Sequence, residues 1–388
     1  MHFVHLLAVF AVTSSGFLIP SVSLGQYSVG LNIETLTDET RWDPYAPADN
    51  PQKRRILASA FIPASLPNQP CPRGEVNMSY MPPKASNVFG KQAEAMGLPR
   101  GFFDGLEMGL CQLPDSESST EKPDGQQAKF PVVIFSPGRG VSRLMYNIMA
   151  WSLASHGYVV LTLDHAYDAT IIEYPDGTSV VGVVGEANQT VLERSVEVRQ
   201  QDISFVIDQL TNVSTTETLL AQTEVDRIFV FGQSIGGATA VSALFNDDRI
   251  YGVINLDGDM LGPVVKEGLD KPLFLIGKPH SREQGSSWNQ TWENQHGPGM
   301  MMQIDGTTHL SFSDMPLLAT LKDIPKDSKA KVEAAIGTID GKRMAALMTE
   351  LMVAVLENVF NGAENGLCGL VRGRREVTVL ETKGISCP

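Results

Sequence analysis

Short apolar runs alternate with helical patterns along most of the chain. The runs PVVIFS, YVVLTLD, RIFVF, YGVINLD, PLFLIG and MMMQID are five to seven residues long and almost free of polar positions. Between them, ERSVEVRQQDISFVIDQL places apolar residues on one helical face, and GGATAVSALF is typical of a tightly packed helix. Continuous apolar strands separated by helices indicate a parallel sheet with helices on both faces. The pattern predicts an α/β fold whose ligand site lies beyond the carboxyl ends of the strands.

The first third of the chain is less regular. RILASAFIP (Arg55–Pro63) predicts a strand, whereas residues 26–53 are polar and rich in Pro and Asp. Residues 68–129 show no sustained periodicity and end in PDSESSTEKPDGQQAK, which is typical of an exposed loop. No internal repeat is evident. We therefore expect one domain over 26–388, with 72–128 as an inserted cover and 362–388 as a cysteine-bearing tail.

Composition narrows the class of protein. The chain has 388 residues, 43% of them hydrophobic and 19% charged, which suits a globular protein with a large core. The net charge of −14 argues against a nucleic-acid partner, because few cations are available for phosphates. No cysteine pair has metal-ligand spacing with histidine, so a zinc site is not expected. No cofactor is expected either. The oligomeric state is left open.

The N-terminal sequence MHFVHLLAVFAVTSSGFLIPSVSLGQY predicts a signal peptide. An apolar stretch follows a short head, and small residues at Ser23 and Gly25 suit cleavage before Gln26. A membrane anchor is the alternative, but polar residues and a proline interrupt the run well short of a spanning helix. We therefore expect residues 1–25 to be removed and the protein to be secreted.

Two other features fit secretion. Four cysteines, an even number, permit three disulfide pairings, and the sequence alone does not choose among them. The two local loops, Cys71–Cys111 and Cys368–Cys387, are the favoured pairing. Four asparagines also stand in N-glycosylation acceptor triplets. They are Asn77, Asn188, Asn212 and Asn289.

The segment RIFVFGQSIGGATAVSAL carries the main chemical signal. Ser234 stands between Gly232 and Gly236 at the junction of a predicted strand and a predicted helix. Glycines at such a junction can serve packing alone, but a serine held on a sharp strand-to-helix turn is also the nucleophile elbow of hydrolases. The position after an apolar strand and before a helix favours the catalytic interpretation.

A serine nucleophile needs a base, and the base needs a carboxylate that orients it. Asp257 closes the apolar strand YGVINLD and is preferred over Asp259, two residues further on. His309 follows the last predicted strand and is the expected base. His280 and His296 are interpreted as solvated loop residues.

The loop after PVVIFS is expected to complete an acyl-transfer site. PGRG is a glycine-flanked loop at the place where oxyanion holes form in this architecture. The backbone N–H groups of Arg139 and Ile235 are the predicted donors to the oxyanion. An ordinary Pro-Gly turn is the alternative for the loop alone.

Five segments together resemble the secreted, plasma-type platelet-activating factor acetylhydrolases: FSPGRG, LASHGYVVLTLDHAYDAT, FGQSIGGAT, INLDGDM and GTTHLSF. The resemblance spans about Pro131 to Phe312. It implies an α/β-hydrolase fold, no metal requirement, and hydrolysis of short or oxidised acyl chains from phospholipids. It also places a catalytic triad on Ser234, Asp257 and His309, in agreement with the residues chosen above.

The chain departs from the family pattern in two places. PGRG replaces a His-Gly-apolar loop, and DHAYD replaces a more highly charged stretch, so that His165 and Asp168 either line the substrate pocket or cap a turn. Phe102 and Phe103, within the predicted cover, are expected either to lie over the acyl pocket or to belong to an ordinary buried loop.

The sequence thus predicts a secreted, glycosylated serine ester hydrolase that acts on lipid esters and makes at most transient contact with a lipid surface. A general short-chain carboxylesterase or polyester hydrolase would use the same residues. An inactive hydrolase-fold binding protein and an acyltransferase that uses an alcohol acceptor are the remaining alternatives.

Overall fold

The computed structural model describes residues 16–22, 24–114, 129–183, 185, 187–211, 223–281 and 286–387. The strands are β1 (Phe17–Leu18), β2 (Val29–Trp42), β3 (Lys53–Pro63), β4 (Glu75–Ser79), β5 (Leu106–Cys111), β6 (Phe130–Ser136), β7 (Val159–His165), β8 (Ile171–Glu173), β9 (Ser179–Val181), β10 (Thr223–Gln233), β11 (Ile250–Leu256), β12 (Leu273–Gly277), β13 (Gly299–Ile304) and β14 (Val377–Lys383). The α-helices are α1 (Pro83–Ala95), α2 (Asn147–Ala154), α3 (Gln189–Thr211), α4 (Ile235–Asn246), α5 (Val264–Glu267), α6 (Ser287–Glu293), α7 (Met315–Thr320), α8 (Lys329–Ile336), α9 (Gly341–Asn361) and α10 (Glu364–Arg372). Most of the predicted signal peptide, the end of the predicted cover (115–128) and Asn212 lie outside the described residues.

Twelve of the described strands form one sheet. Its order is β1-β5-β2-β3-β7-β6-β10-β11-β12-β13-β14, with β4 paired to β5. The strands from β7 to β13 in this order run parallel, whereas β3 pairs antiparallel to both β2 and β7, and β14 pairs antiparallel to β13. The predicted α/β-hydrolase fold, with a mostly parallel sheet, is confirmed.

The central strands are buried on both faces. Because side chains alternate along a strand, Val133 and Phe135 of β6 face one core and Val132 and Ile134 face the other. The first core is completed by α2 and α9, and the second by α3 and α4. Residues 326–361 are long and apolar enough to span a membrane by composition, but the apolar face of α9 is part of the first core.

The strand order creates a crevice between β6 and β10. The chain leaves β6 for β7 on one side and later returns to β10 on the other side. In open α/β sheets such a reversal of direction separates the loops at the carboxyl ends of the two strands and leaves room for a ligand. The loops after β6, β10, β11 and β13 carry Arg139, Ser234, Asp257 and His309, respectively.

The structure adds strands that the apolar pattern does not reveal. β2 lies in the polar stretch 26–53, where most residues are half-buried or exposed, and pairs along its length with β3. The described part of the predicted cover forms β4, α1 and β5 and extends the edge of the sheet. Within the predicted signal peptide, β1 pairs with β5, and Ile19 is buried. Cleavage before Gln26 would remove this short strand.

Two disulfides close local loops. Cys71 is joined to Cys111, at the end of β5, and Cys368 of α10 is joined to Cys387 after β14. This is the pairing that the sequence favours. The first bond fixes one end of the β4–α1–β5 segment, and the second holds the C-terminal tail against the last helix.

Candidate active site

Ser234 occupies a strained turn between β10 and α4. Its backbone has φ 58° and ψ −127°, a conformation that residues with a Cβ rarely adopt. The chain passes so close to itself that a Cβ on Gly232 would lie 2.2 Å from the carbonyl oxygen of Gly236. A Cβ on Gly236 would lie 2.0 Å from the carbonyl oxygen of Ser136. Only glycine fits at these two positions, and the turn places Ser234 at the helix N-terminus.

Asp257 and His309 meet at the same end of the sheet. Asp257 follows β11, and its Oδ2 lies 2.6 Å from Nδ1 of His309. His309 begins a short 3-10 helix after β13, and Thr308 and Ser311 form a capping box that fixes the start of this helix. The capping residues also bond to carbonyls of α8, which ties the loop to the body of the protein.

The surroundings of Asp257 keep its carboxylate charged. Burial disfavours the charge and would raise the pKa of Asp257, but hydrogen bonds from His309 and from the backbone N–H of Lys278 lower the pKa below its usual value. The Nζ of Lys278 lies 3.2 Å from Oδ2, and the Ser281 hydroxyl donates to Oδ1 over 2.9 Å. A carboxylate so held can orient an imidazole through its Nδ1–H and stabilise the imidazolium.

The alternative acid and bases lie elsewhere. Asp259 is exposed and contacts the Ser287 hydroxyl at 3.5 Å, away from His309. His280 is exposed on the loop after β12, and His296 is exposed beside Asp270. The structure thus brings His309 to Asp257 and leaves the other two histidines at the surface.

Gln233 connects the serine turn to the histidine loop. Its Nε2 donates to the carbonyl oxygen of His309 over 3.0 Å and lies 3.3 Å from Nε2 of the imidazole. Its Oε1 accepts from the hydroxyl of the buried Tyr146. Among the described residues the His309 ring contacts Asp257 and Gln233, and no hydrogen bond joins it to the Ser234 hydroxyl. Since Ser234 directly follows Gln233, this contact links the histidine loop to the serine turn, and catalytic hydrogen bonds commonly tighten only when substrate binds.

The two residues that carry the predicted oxyanion donors line the same cavity as Ser234. Ile235 is the first residue of α4, where a backbone N–H has no acceptor within the helix. Arg139 lies in the loop after β6 and lines a cavity together with Ser234 and Ile235. A Cβ on Gly138 would lie 3.6 Å from the Cβ of Ser234, so the loop packs directly against the serine turn.

Two cavities flank this centre. The larger, of about 630 Å³, adjoins Ser234 and carries both positive and negative side chains. Its charged lining residues are Arg139, Glu193, Asp259 and Lys266. The smaller, of about 290 Å³, adjoins Gln233 and is almost wholly apolar. Its main apolar lining residues are Phe89, Met96, Val141, Met145, Leu310 and Met315.

The predicted pocket residues do not line these cavities. Phe102 and Phe103 are 1% and 2% exposed and belong to the core, because they lie in the turn before β5 with their rings packed on each other. His165 ends β7, is 1% exposed, and bonds to Asp202 and Ser136. One wall of the apolar cavity comes instead from α1, within the predicted cover. Sequence reasoning missed Tyr146 and Gln233, although the position of Gln233 next to the serine was a usable signal.

The fold and the site define a carboxylic ester hydrolase of the α/β-hydrolase type. In the described ranges no cluster of three or more His, Cys, Asp or Glu side chains could hold a metal ion. A solved structure titled as a ferulic acid esterase from Streptomyces cinnamoneus superposes with a TM-score of 0.71 and 24% identity, over 94% of this chain and 100% of that one. At this identity the likeness establishes the fold.

The chain belongs to the family described as "Platelet-activating factor acetylhydrolase, isoform II", whose model matches residues 102–366. A relative from Arthroderma benhamiae, named "Probable 1-alkyl-2-acetylglycerophosphocholine esterase", is 29% identical over 85% of this chain and 84% of its own length. A platelet-activating factor acetylhydrolase from Cavia porcellus is 25% identical over 59% of this chain and 57% of its own length. One from Bos taurus is 29% identical over 38% of this chain and 40% of its own length.

Proposed function

We propose that this protein is a secreted serine ester hydrolase that removes short or oxidised acyl chains from phospholipids. Ser234 is the nucleophile, His309 the general base, and Asp257 the carboxylate that orients the imidazole. The observation that carries the proposal is the 2.6 Å contact between Asp257 and His309, whose imidazole also contacts Gln233, the residue that precedes Ser234 on its strained turn. Such a constellation activates a weak hydroxyl nucleophile.

The reaction follows from the placement of these groups. His309 accepts the Ser234 proton while Oγ attacks the ester carbonyl, and the N–H groups of Ile235 and Arg139 hold the oxyanion that develops. The imidazolium then protonates the departing alcohol and leaves an acyl-enzyme. Water, deprotonated by the same imidazole, attacks the acyl carbonyl and releases the acid. Asp257 stays ionised throughout and compensates the positive charge on the ring.

The two cavities support a phospholipid substrate. We assign the acyl chain to the apolar cavity of about 290 Å³, which is large enough for a short or truncated chain. The cleft of about 630 Å³ receives the alcohol part of the ester, and its mixture of charges suits a zwitterionic head group. The names of the Arthroderma and Cavia relatives refer to acetylated glycerophosphocholine and to platelet-activating factor, which supports the same substrate class.

A fluorophosphonate probe tests the nucleophile. We expect the probe to label one residue, identified by peptide mass spectrometry as Ser234, and to abolish hydrolysis of p-nitrophenyl butyrate. Ser234→Ala should fold normally and lose labelling and activity together. Labelling at another serine, or full activity of Ser234→Ala, would refute the assignment. An unlabelled, inactive wild-type enzyme would instead favour the binding-protein alternative.

A substrate series tests the lipid assignment. We expect higher kcat/KM for a phosphatidylcholine with an acetyl or oxidised chain at the second position than for a soluble ester of the same acid. A preference for the soluble ester would favour a general carboxylesterase. Product analysis with an added alcohol acceptor separates hydrolysis from acyl transfer.

Secretion and glycosylation are proposed on several features together. The two disulfides suit an oxidising compartment, and Asn77 and Asn188 are exposed, whereas Asn289 is half-buried. Expression in a eukaryotic host should deliver the protein to the medium with a mass that falls on treatment with a glycosidase. N-terminal sequencing of that protein should begin at Gln26. If the secreted protein instead begins before β1, it keeps the strand that pairs with β5. In that case the predicted cleavage position is wrong, but the prediction of secretion stands.

A further inference from the structure

A buried arginine on α3 contacts the loop that follows β6. Arg199 is 1% exposed, and its Nη1 donates to the carbonyl oxygen of Pro137 over 2.6 Å. Its Nη2 donates to the carbonyl oxygen of Gly138 over 3.3 Å. Both carbonyls belong to the loop that carries Arg139. Arg199 thus links α3 to the backbone of the loop that packs against the Ser234 turn.

The direction of the Gly138 carbonyl determines the direction of the next N–H. In a planar trans peptide the C=O group and the following N–H point in opposite directions. Since Arg199 holds the Gly138 oxygen on the side of α3, the Arg139 N–H points to the other side. Arg139 lines the Ser234 cavity, and Gly138 packs on the serine turn. The guanidinium therefore fixes the orientation of the Gly138–Arg139 peptide.

Arg199 is itself fixed by an acidic partner. Its Nε donates to Oδ2 of Asp168 over 2.9 Å, and Nη2 forms an ion pair with Oδ1 of the same carboxylate. Burial would raise the pKa of Asp168, but the charge of Arg199 and its hydrogen bonds lower the pKa below the usual value. Asp168 also accepts from the backbone N–H of Gly140 over 3.5 Å, so that the pair encloses the loop from both ends.

A second Ser-His-Asp set supports the strand beneath this loop. The Ser136 hydroxyl lies 3.0 Å from Nε2 of His165, whose Nδ1 lies 2.8 Å from Oδ2 of Asp202. All three are buried, so they have no access to substrate, and Asp202 is also paired with Arg54. Burial lowers the pKa of His165, which favours the neutral ring that accepts from Ser136. This set anchors the end of β6, from which the oxyanion loop departs.

We propose that Arg199, held by Asp168, is the positioning residue of the oxyanion hole and keeps the Gly138–Arg139 peptide turned toward Ser234. The inference rests on the proposed function. Without the guanidinium, the peptide is free to rotate and to present its carbonyl oxygen to the substrate, which would repel an oxyanion. Loss of one donor from an oxyanion hole lowers kcat by about 10²- to 10³-fold. Substrate binding, which precedes the charge, should be much less affected.

The experiment compares Arg199→Lys with Arg143→Lys. Arg143 is a matched control, because it is also buried and paired with an aspartate, Asp164, but makes no contact with the Pro137 or Gly138 carbonyls. Active sites are counted by exhaustive fluorophosphonate labelling, and kcat and KM are measured per labelled site with p-nitrophenyl butyrate. We expect Arg199→Lys to lower kcat by about 10²-fold with KM within about threefold of wild type. Arg143→Lys should lower Tm without lowering kcat per site.

A transition-state analogue gives a readout that a purely structural role would not move. A trifluoromethyl ketone forms an oxyanion on Ser234, and its affinity should fall in proportion to kcat/KM in the Arg199 variant. If Arg199→Lys does not fold, Asp168→Asn is the second variant. It keeps the Arg199 guanidinium but removes the charge that holds it in place, and kcat should fall about tenfold.

Three results would overturn the inference. They are an unchanged kcat per site in a folded Arg199→Lys or Asp168→Asn variant, equal losses of kcat in the Arg199 and Arg143 variants, and unchanged affinity for the ketone. Each is distinguishable from failure of the proposed function, since in that case Ser234→Ala would remain active in the same assay.

Discussion

Asp257 and His309 are joined by a hydrogen bond 2.6 Å long, although 52 residues separate them in the chain. The bond uses Nδ1 of the ring and leaves Nε2 facing Gln233, the residue before Ser234. Each residue stands at the carboxyl end of its own strand, and β12 lies between those two strands in the sheet. The loops must therefore converge over β12 for the acid and the base to meet.

Replacing the acid tests this contact directly. Asp257→Asn should lower kcat by about 10⁴-fold, because the amide favours the wrong imidazole tautomer and cannot stabilise the imidazolium. Asp259→Asn is the matched control, since Asp259 is exposed and does not contact His309. It should keep kcat within about threefold of wild type on p-nitrophenyl butyrate. Equal losses in the two variants would contradict the assignment of the acid.

Filling the apolar cavity should change acyl-chain selectivity. Met96→Trp places a larger side chain in the cavity of about 290 Å³. We expect kcat/KM for a decanoyl ester to fall about tenfold or more, with the acetyl ester within about threefold of wild type. Val265→Phe, in the other cavity, serves as the control and should not change the ratio of the two rates. If Val265→Phe alters chain-length selectivity and Met96→Trp does not, the two cavities have been assigned the wrong way round.

The two disulfides should differ in their contribution to stability. The Cys71–Cys111 bond closes a 40-residue separation and the Cys368–Cys387 bond one of 19 residues. The loss of chain entropy predicts that removing the first pair by double alanine substitution lowers the free energy of unfolding by about 4 kcal/mol, and removing the second by about 3 kcal/mol. Urea unfolding of both variants and of wild type measures the difference. The reverse order would show that chain entropy is not the main contribution.

Acid should weaken the ion pair of Asp168 and Arg199. Burial raises the pKa of Asp168, but Arg199 lowers it more, so the folded carboxyl titrates below the unfolded value of about 4. The pair therefore stabilises the fold above that pH, and its contribution is lost as the pH falls further. Asp168→Asn should be less stable than wild type by about 3–5 kcal/mol at pH 6. This difference in the free energy of unfolding should become smaller as the pH falls from 4 to 2.

Urea unfolding of the two proteins across this range measures the gap. Asp248→Asn, which replaces a fully exposed aspartate near Lys271, is the control and should follow the wild-type curve. A gap between wild type and Asp168→Asn that stays constant with pH would show that the carboxyl has the same pKa in the folded and unfolded states.

Local patterns predicted the parallel core well. β6, β7, β10, β11, β12 and β13 are apolar on both faces, so each is visible as a continuous run without knowledge of its neighbours. β2 and β14 escaped detection because most of their residues are half-buried or exposed and their polar positions resemble a loop. Their pairing energy comes from a partner strand elsewhere in the chain, which no local window contains.

The site was only partly accessible from the sequence. Asp257 could be preferred over Asp259 because it closes an apolar strand, and the structure places Asp257 against His309. Phe102, Phe103 and His165 were expected at the pocket, but the structure buries all three side chains. Their burial depends on how β5 and β7 join the sheet. The position of α1 at the cavity also depends on how β5 joins the sheet, since the sequence of α1 does not indicate which part of the protein the helix faces.

What the sequence by itself determined is local geometry: glycines that permit a strained serine turn, apolar runs that must be buried, and polar residues placed where those runs end. What only the tertiary structure decided is which of these ends meet. Strand order selects His309 among three downstream histidines and carries Arg199 from α3 to the backbone of Gly138. The reason is physical, because steric limits act between neighbours in the chain, whereas hydrogen bonds and ion pairs act between atoms that only folding brings together.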